Sequence, residues 1–189
     1  ARCHDVGFGC KQSCRVNGAG EGEWKYSGIC AGPDGRLYCA PFNATAVLVV
    51  DPRTQTMSFI EGVGEGAQKY AGICAGPDGR LYCAPCNATA VLVIDPENRT
   101  LSFIEGVGAG NLKYYGICAG PDGRLYCAPW DAKTVLVIDP ESETLSFIGG
   151  AREGAQKYMG ICAGPHGRLY CAPCNATAVL VVDPRTQTM

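Results

Sequence analysis

The chain has 189 residues, 47% of them hydrophobic, and a formal net charge of −2. That length suits one domain, and a near-neutral chain without a basic run gives a nucleic-acid partner no electrostatic support. The longest apolar runs are strand-sized, far short of the ~20 residues a membrane-spanning helix needs, and no signal peptide or charged transit segment stands out.

Residues 1–13 match nothing else in the chain. They carry Cys3, His4 and Cys10, with Cys14 following, at gaps that fit no common zinc pattern. The expectation is a loosely ordered leader, and no metal or other cofactor is expected here or elsewhere. From residue 14 onward the chain is a tandem repeat. The stretch 28–60, GICAGPDGRLYCAPFNATAVLVVDPRTQTMSFI, begins again at Gly72, Gly116 and Gly160, a constant offset of 44 residues. A period in the low forties is typical of four-stranded propeller blades.

Each unit reads as four short strands, which in the first copy span 25–32, 36–42, 46–50 and 57–60. Pro33-Asp34-Gly35 is a type I turn with Gly available for the left-handed position. Asn43-Ala44-Thr45 and Asp51-Pro52 supply the next two turns, and a Gly-rich loop, 61–68, leads into the following copy. Such tight connections make neighbouring strands antiparallel. The third strand, Ala46-Val47-Leu48-Val49-Val50, is apolar without alternation and so needs cover on both faces, which a blade stacked between two others provides.

The predicted fold is therefore all-β: a β-propeller of four 44-residue, four-stranded antiparallel blades at about 18–61, 62–105, 106–149 and 150–189. Cys14-Arg15-Val16-Asn17 falls in phase with Ser58-Phe59-Ile60-Glu61, and the chain stops at Met189, the counterpart of Met57. Residues 14–17 are expected to complete the last blade and close a monomeric ring. Half of a larger ring completed by a second chain satisfies the same phase.

The pattern ICAGPDGRLYCAP followed by AVLVIDP and a Thr-rich turn resembles the blades of NHL, YVTN and gluconolactonase-type propellers. The resemblance covers some 170 residues and implies the fold. The lactonases it brings in need a Glu/Asn/Asp metal cluster in the central channel, and the related streptogramin lyases a His with a metal. The inner strands here read Lys-Tyr-x-Gly-Ile-Cys, and the only histidines are His4 and His166, so those catalytic motifs do not carry over.

Of the thirteen cysteines, eight form in-phase pairs: Cys30/Cys39, Cys74/Cys83, Cys118/Cys127 and Cys162/Cys171. With a G1 bulge at the turn, Gly32 sits opposite Arg36, Cys30 faces Tyr38 and Cys39 faces Ile29. Each pair then points to opposite faces of its blade, and a hairpin disulfide is unfavourable. The cysteines read as small buried hydrophobes, which favours a reducing, intracellular compartment. The C-x-x-C sequences at Cys83/Cys86 and Cys171/Cys174 have Phe42 and Trp130 in the other copies, which suits a packing slot better than a metal site. The N-x-T sequons at Asn43, Asn87, Asn98 and Asn175 read as turns, and His166 as drift from the turn Asp.

The copies differ mainly at one end of the blades, where the fourth strand leads to the next first strand and the second to the third. Large side chains gather there: Trp24, Phe42, Tyr115, Trp130 and Met159, with Lys133 and a ring of Lys25, Lys69, Lys113 and Lys157. Aromatics with a few cations make a binding face. The expected function is a non-catalytic binding or scaffold module for a protein, peptide or glycan partner, with no membrane span. A lactonase- or lyase-like enzyme and a structural subunit of a larger assembly are the alternatives.

Overall fold

The computed structural model describes residues 15–189; the expectations for Cys3, His4, Cys10 and Cys14 lie outside them. The first sheet comprises β1 (Tyr26–Ala31), β2 (Leu37–Pro41), β3 (Ala46–Asp51) and β4 (Thr56–Glu61), paired in sequence order. The second holds β5 (Tyr70–Ala75), β6 (Leu81–Pro85), β7 (Ala90–Asp95) and β8 (Thr100–Glu105). The third holds β9 (Tyr114–Ala119), β10 (Leu125–Pro129), β11 (Thr134–Asp139) and β12 (Thr144–Gly149). The fourth has three strands, β13 (Tyr158–Ala163), β14 (Leu169–Pro173) and β15 (Leu180–Val182). All pairings are antiparallel.

The turn chemistry sets the register. Gly35 N–H donates to the Gly32 carbonyl (3.1 Å) with Gly35 at φ +77°, and Gly32 N–H donates to the Arg36 carbonyl (2.8 Å). Ile29 then pairs with Cys39 and Cys30 with Tyr38, the register read from the sequence. The two cysteines of each hairpin lie on opposite faces, and the ten described cysteines are all free thiols. Asp34 adds a fastener that the repeat hides: its carboxylate accepts from the Arg36 N–H and, at 2.9 Å, from the Tyr38 hydroxyl. Asp78 and Asp122 do the same for Tyr82 and Tyr126.

Blades stack in series. Tyr38, Val47, Val49 and Ile60 of the first pack on Leu81, Cys83, Leu92 and Ile94 of the second, and the equivalent residues recur between the second and third. The third strands of the first three blades are buried on both faces, as their unbroken apolar runs require, whereas β15 of the fourth is only partly covered. The inner strands β1, β5, β9 and β13 lie side by side and approach most closely at Gly28, Gly72, Gly116 and Gly160. All four glycines have positive φ. A Cβ on Gly72 would stand 2.9 Å from the Gly116 backbone, and one on Gly116 2.7 Å from that of Gly160.

The expected closure does not form. Residues 15–17 belong to no strand, and the fourth sheet ends in an isolated bridge between Asp183 and Thr188. A side chain at Gly18 would touch Met57, just as one at Gly62 would touch Leu101, so this segment runs along the first blade rather than the last. Two intervening blades separate it from β15, and β13 does not stack on β1 as it stacks on β9. The four blades form an open arc, and Ile29 on its first face is 58% exposed.

Candidate ligand-binding site

At one end of each blade the Asn-Ala-Thr turn, which is Asp131-Ala132-Lys133 in the third, meets the Gly-rich loop. Residues 24, 68, 112 and 156, each just before the lysine that leads into an inner strand, all have φ of +50° to +55°. Three of them are held by a side chain from the preceding blade. Asn43 Oδ1 accepts the Gln68 N–H (2.8 Å), Asn87 Oδ1 the Leu112 N–H (2.7 Å) and Asp131 Oδ1 the Gln156 N–H (2.6 Å). The sequon asparagines Asn43 and Asn87 are thus clamps between blades, and their Nδ2 atoms donate to the Glu23 and Ala67 carbonyls.

These left-handed positions push their side chains out over the rim. Trp24, Gln68, Leu112 and Gln156 join Phe42, Asn43, Tyr115 and Trp130 around an open recess of about 320 Å³. Tyr115 leans across the second blade, where Ala71 leaves room, and its hydroxyl lies 3.2 Å from Ser27 Oγ. Its ring is tilted 37° against Trp130, with centroids 5.2 Å apart. Phe42 and Cys86 form the buried floor of this cluster, as a packing slot requires, whereas Cys174 in the fourth copy, like Cys162, is exposed rather than buried. Trp24 is 74% exposed.

The expected aromatics Trp24, Phe42, Tyr115 and Trp130 are therefore brought together. Met159 is half exposed on β13, outside the lining, and Lys133 pairs with Glu153 (2.8 Å) at the outer edge. The ring of lysines is corrected. Lys69, Lys113 and Lys157 are buried, and each ammonium donates to a carbonyl of the Gly-rich loop of its own blade, at Gly66, Gly110 and Gly154. Burial holds these three below the usual lysine range. Lys25 donates likewise to the Ala19 and Gly20 carbonyls. They lock the loops rather than offer a cationic face. Gln68, Leu112 and Gln156 complete the lining; the signal for them is that they vary between copies in step with Trp24.

No protein-family model matches the chain, and no curated protein matches it by sequence. Solved structures do match. Virginiamycin B lyase from Staphylococcus aureus superposes with a TM-score of 0.72 at 17% identity, covering 84% of this chain and 52% of that one. Hydrazine synthase from Kuenenia stuttgartiensis gives 0.69 at 22% identity over 87% of this chain and 47% of that one. An auxiliary nutrient-binding protein from Bacteroides thetaiotaomicron gives 0.64 at 16% identity, covering 86% and 39%. The chain is four blades of a β-propeller. It spans about half the length of the first two of these structures, and at such identities the likeness is one of fold.

Proposed function

We propose that the chain is a binding module whose rim recess takes a neutral, hydroxyl-rich ligand such as a short oligosaccharide. The observation that carries this is the lining itself. Four aromatic side chains and the amides of Gln68 and Gln156 surround the recess, and no carboxylate, ammonium or imidazole is among the eight lining residues. Aromatic faces give apolar contact area with little side-chain entropy to lose, and amides both donate to and accept from hydroxyls. A volume of about 320 Å³ lies at the small end of the range for ligand sites. The kinship of the blades to the NHL and YVTN type is our reading of the sequence pattern, and the nutrient-binding protein of similar fold agrees with a binding role.

The fold shared with virginiamycin B lyase supports a second reading, an enzyme of lyase type. On that reading the purified protein carries about one divalent ion per chain and turns its ligand over. His166 sits in the turn Pro165–Gly167 between β13 and β14, at the end of the blades away from the recess.

Alanine replacement tests the binding reading. Trp24→Ala and Trp130→Ala should each weaken capture of neutral oligosaccharides at least tenfold, the loss expected for a central aromatic contact, while leaving thermal stability nearly unchanged for Trp24. Unaltered affinity in both variants, measured by calorimetry with the oligosaccharide that binds the parent chain, would exclude the recess.

A further inference from the structure

A second kind of recess lies between the Gly-rich loop and the ends of the third and fourth strands. On the second blade it measures about 470 Å³, and its lining includes Glu65, Lys69, Tyr70, Ala90, Phe103 and Glu105. None of its residues belongs to the rim recess. Ala90 on β7 pairs directly with Glu105 on β8, and Phe103 lies two residues away on the same face of that strand. Tyr70 is 3% exposed, and among the described residues its hydroxyl has no hydrogen-bond partner. Burial, with Cys83 and Glu105 close by, raises that hydroxyl above the usual tyrosine range. Neither Glu65 nor Glu105 takes part in an ion pair or a side-chain hydrogen bond among the described residues. The recess therefore holds two free carboxylates and a buried hydroxyl with nothing to bond.

The third blade satisfies the same row internally. Thr134 stands where Ala90 stands, and its Oγ1 lies 3.2 Å from the Tyr114 hydroxyl. Opposite it Gly149 replaces Glu105, while Ala109 replaces Glu65 and Lys133 replaces Thr89. Positions that line one recess thus change together: both carboxylates go, the tyrosine gains a partner and a lysine arrives. The fourth blade loses its negative charge by another route, since Arg152 lines its recess and Glu153 is held by Lys133 (2.8 Å). The first blade keeps the set of the second, with Glu21, Tyr26, Ala46, Phe59 and Glu61 around about 400 Å³.

We infer that the recesses on the first and second blades each take an organic cation, a guanidinium or primary ammonium group. On the second blade Glu65 and Glu105 accept its N–H groups, the Tyr70 oxygen accepts another, and the Phe103 ring covers the stem that carries the charge. N–H donors on a cation bond carboxylates more strongly than neutral donors do, and an aromatic face adds its own attraction. Lys69 brings one positive charge close to Glu65, but its ammonium is bonded to the Gly66 carbonyl (2.7 Å), and the second carboxylate keeps the recess negative. No three His, Cys, Asp or Glu side chains among the described residues are grouped so as to hold a metal ion. Two carboxylates on separate elements offer a divalent ion too few oxygens.

N-acetyl-arginine amide, titrated into the 189-residue chain and followed by backbone amide NMR shifts, is expected to bind saturably on two blades. The amides of Tyr26 and Glu61, and of Tyr70 and Glu105, should move, while those of Tyr114 and Gly149 stay in place. The citrulline analogue, of the same shape without the charge, and calcium chloride should move none of them. Glu105→Gln should weaken the second-blade site at least about tenfold and leave the first as it is. Ala90→Thr combined with Glu105→Gly copies the third blade's row into the second, so that variant should fold and lose the site. No saturable shift, an equal response to the citrulline analogue or on the third blade, saturation by calcium, or unaltered affinity in both variants would each overturn the proposal.

Discussion

Gly116→Ala is expected to lower stability by roughly 2–5 kcal/mol, combining a positive-φ penalty of about 1–2 kcal/mol with overpacking of about 1–3 kcal/mol. Gly116 has φ +97°, and an added Cβ would sit 2.7 Å from the Gly160 Cα, 3.1 Å from its N and 3.4 Å from its carbonyl carbon. Backbone cannot move aside as a flexible side chain can, so β9 and β13 must separate. Gly64 is the control: it has φ +84° but nothing within 4 Å of an added Cβ. Gly64→Ala therefore carries only the backbone term, about 1–2 kcal/mol. Denaturant melts of the two variants should differ by the contact alone, and equal losses would mean that the inner strands are not packed backbone to backbone.

Stability is expected to fall steeply between pH 9 and about 11–12. Burial pushes the thiols of Cys39 and Cys86 up to about 11, and that of Cys171 up to about 12, from an ordinary value of 9.0. Burial also pushes Cys118 up to about 12 and raises Cys74, Cys83 and Cys127. Above pH 9 the unfolded chain loses these protons while the folded chain keeps them. The stability they contribute is complete below pH 9 and is lost as pH rises towards the folded values, at about 1.4 kcal/mol per pH unit for each such thiol. The buried lysines act the other way. Their folded values are lowered, so in the window below 10.5 the unfolded state binds more protons and stability rises with pH. Seven raised thiols outweigh three lowered lysines. Thermal melts from pH 8 to 11 should show the fall, and replacing Cys39, Cys83, Cys127 and Cys171 by Ala should flatten it. An unchanged slope in that variant would assign the alkaline loss elsewhere.

What the sequence shows of this molecule follows from what is local. The 44-residue period, the Pro-Asp-Gly turn and the Asp-Pro turn each act over a few residues, so the strands, their register and the placing of Cys30 and Cys39 on opposite faces can be read directly. The aromatics of the recess are legible because they break the repeat. Closure is not local. Counting strands says that residues 14–17 could finish a blade, but where the last blade lies is set by how closely Gly28, Gly72, Gly116 and Gly160 let the inner strands approach. The lysines mislead for a related reason. A Lys before each inner strand reads as solvated charge, yet the Gly-rich loop folds back and turns its carbonyls on the ammonium. The Asn43 and Asn87 clamps are equally hidden, since their partners lie 25 residues away on the next blade.

Trp24 and Trp130 are the two tryptophans of the chain, and both line the recess. Indole emission therefore reports on that site alone. Titration with neutral oligosaccharides, followed by fluorescence and by acrylamide quenching, should give a saturable change in emission and reduced quenching as ligand covers the exposed Trp24. An oligosaccharide that binds by calorimetry while emission and quenching stay as in the free protein would contradict the assignment.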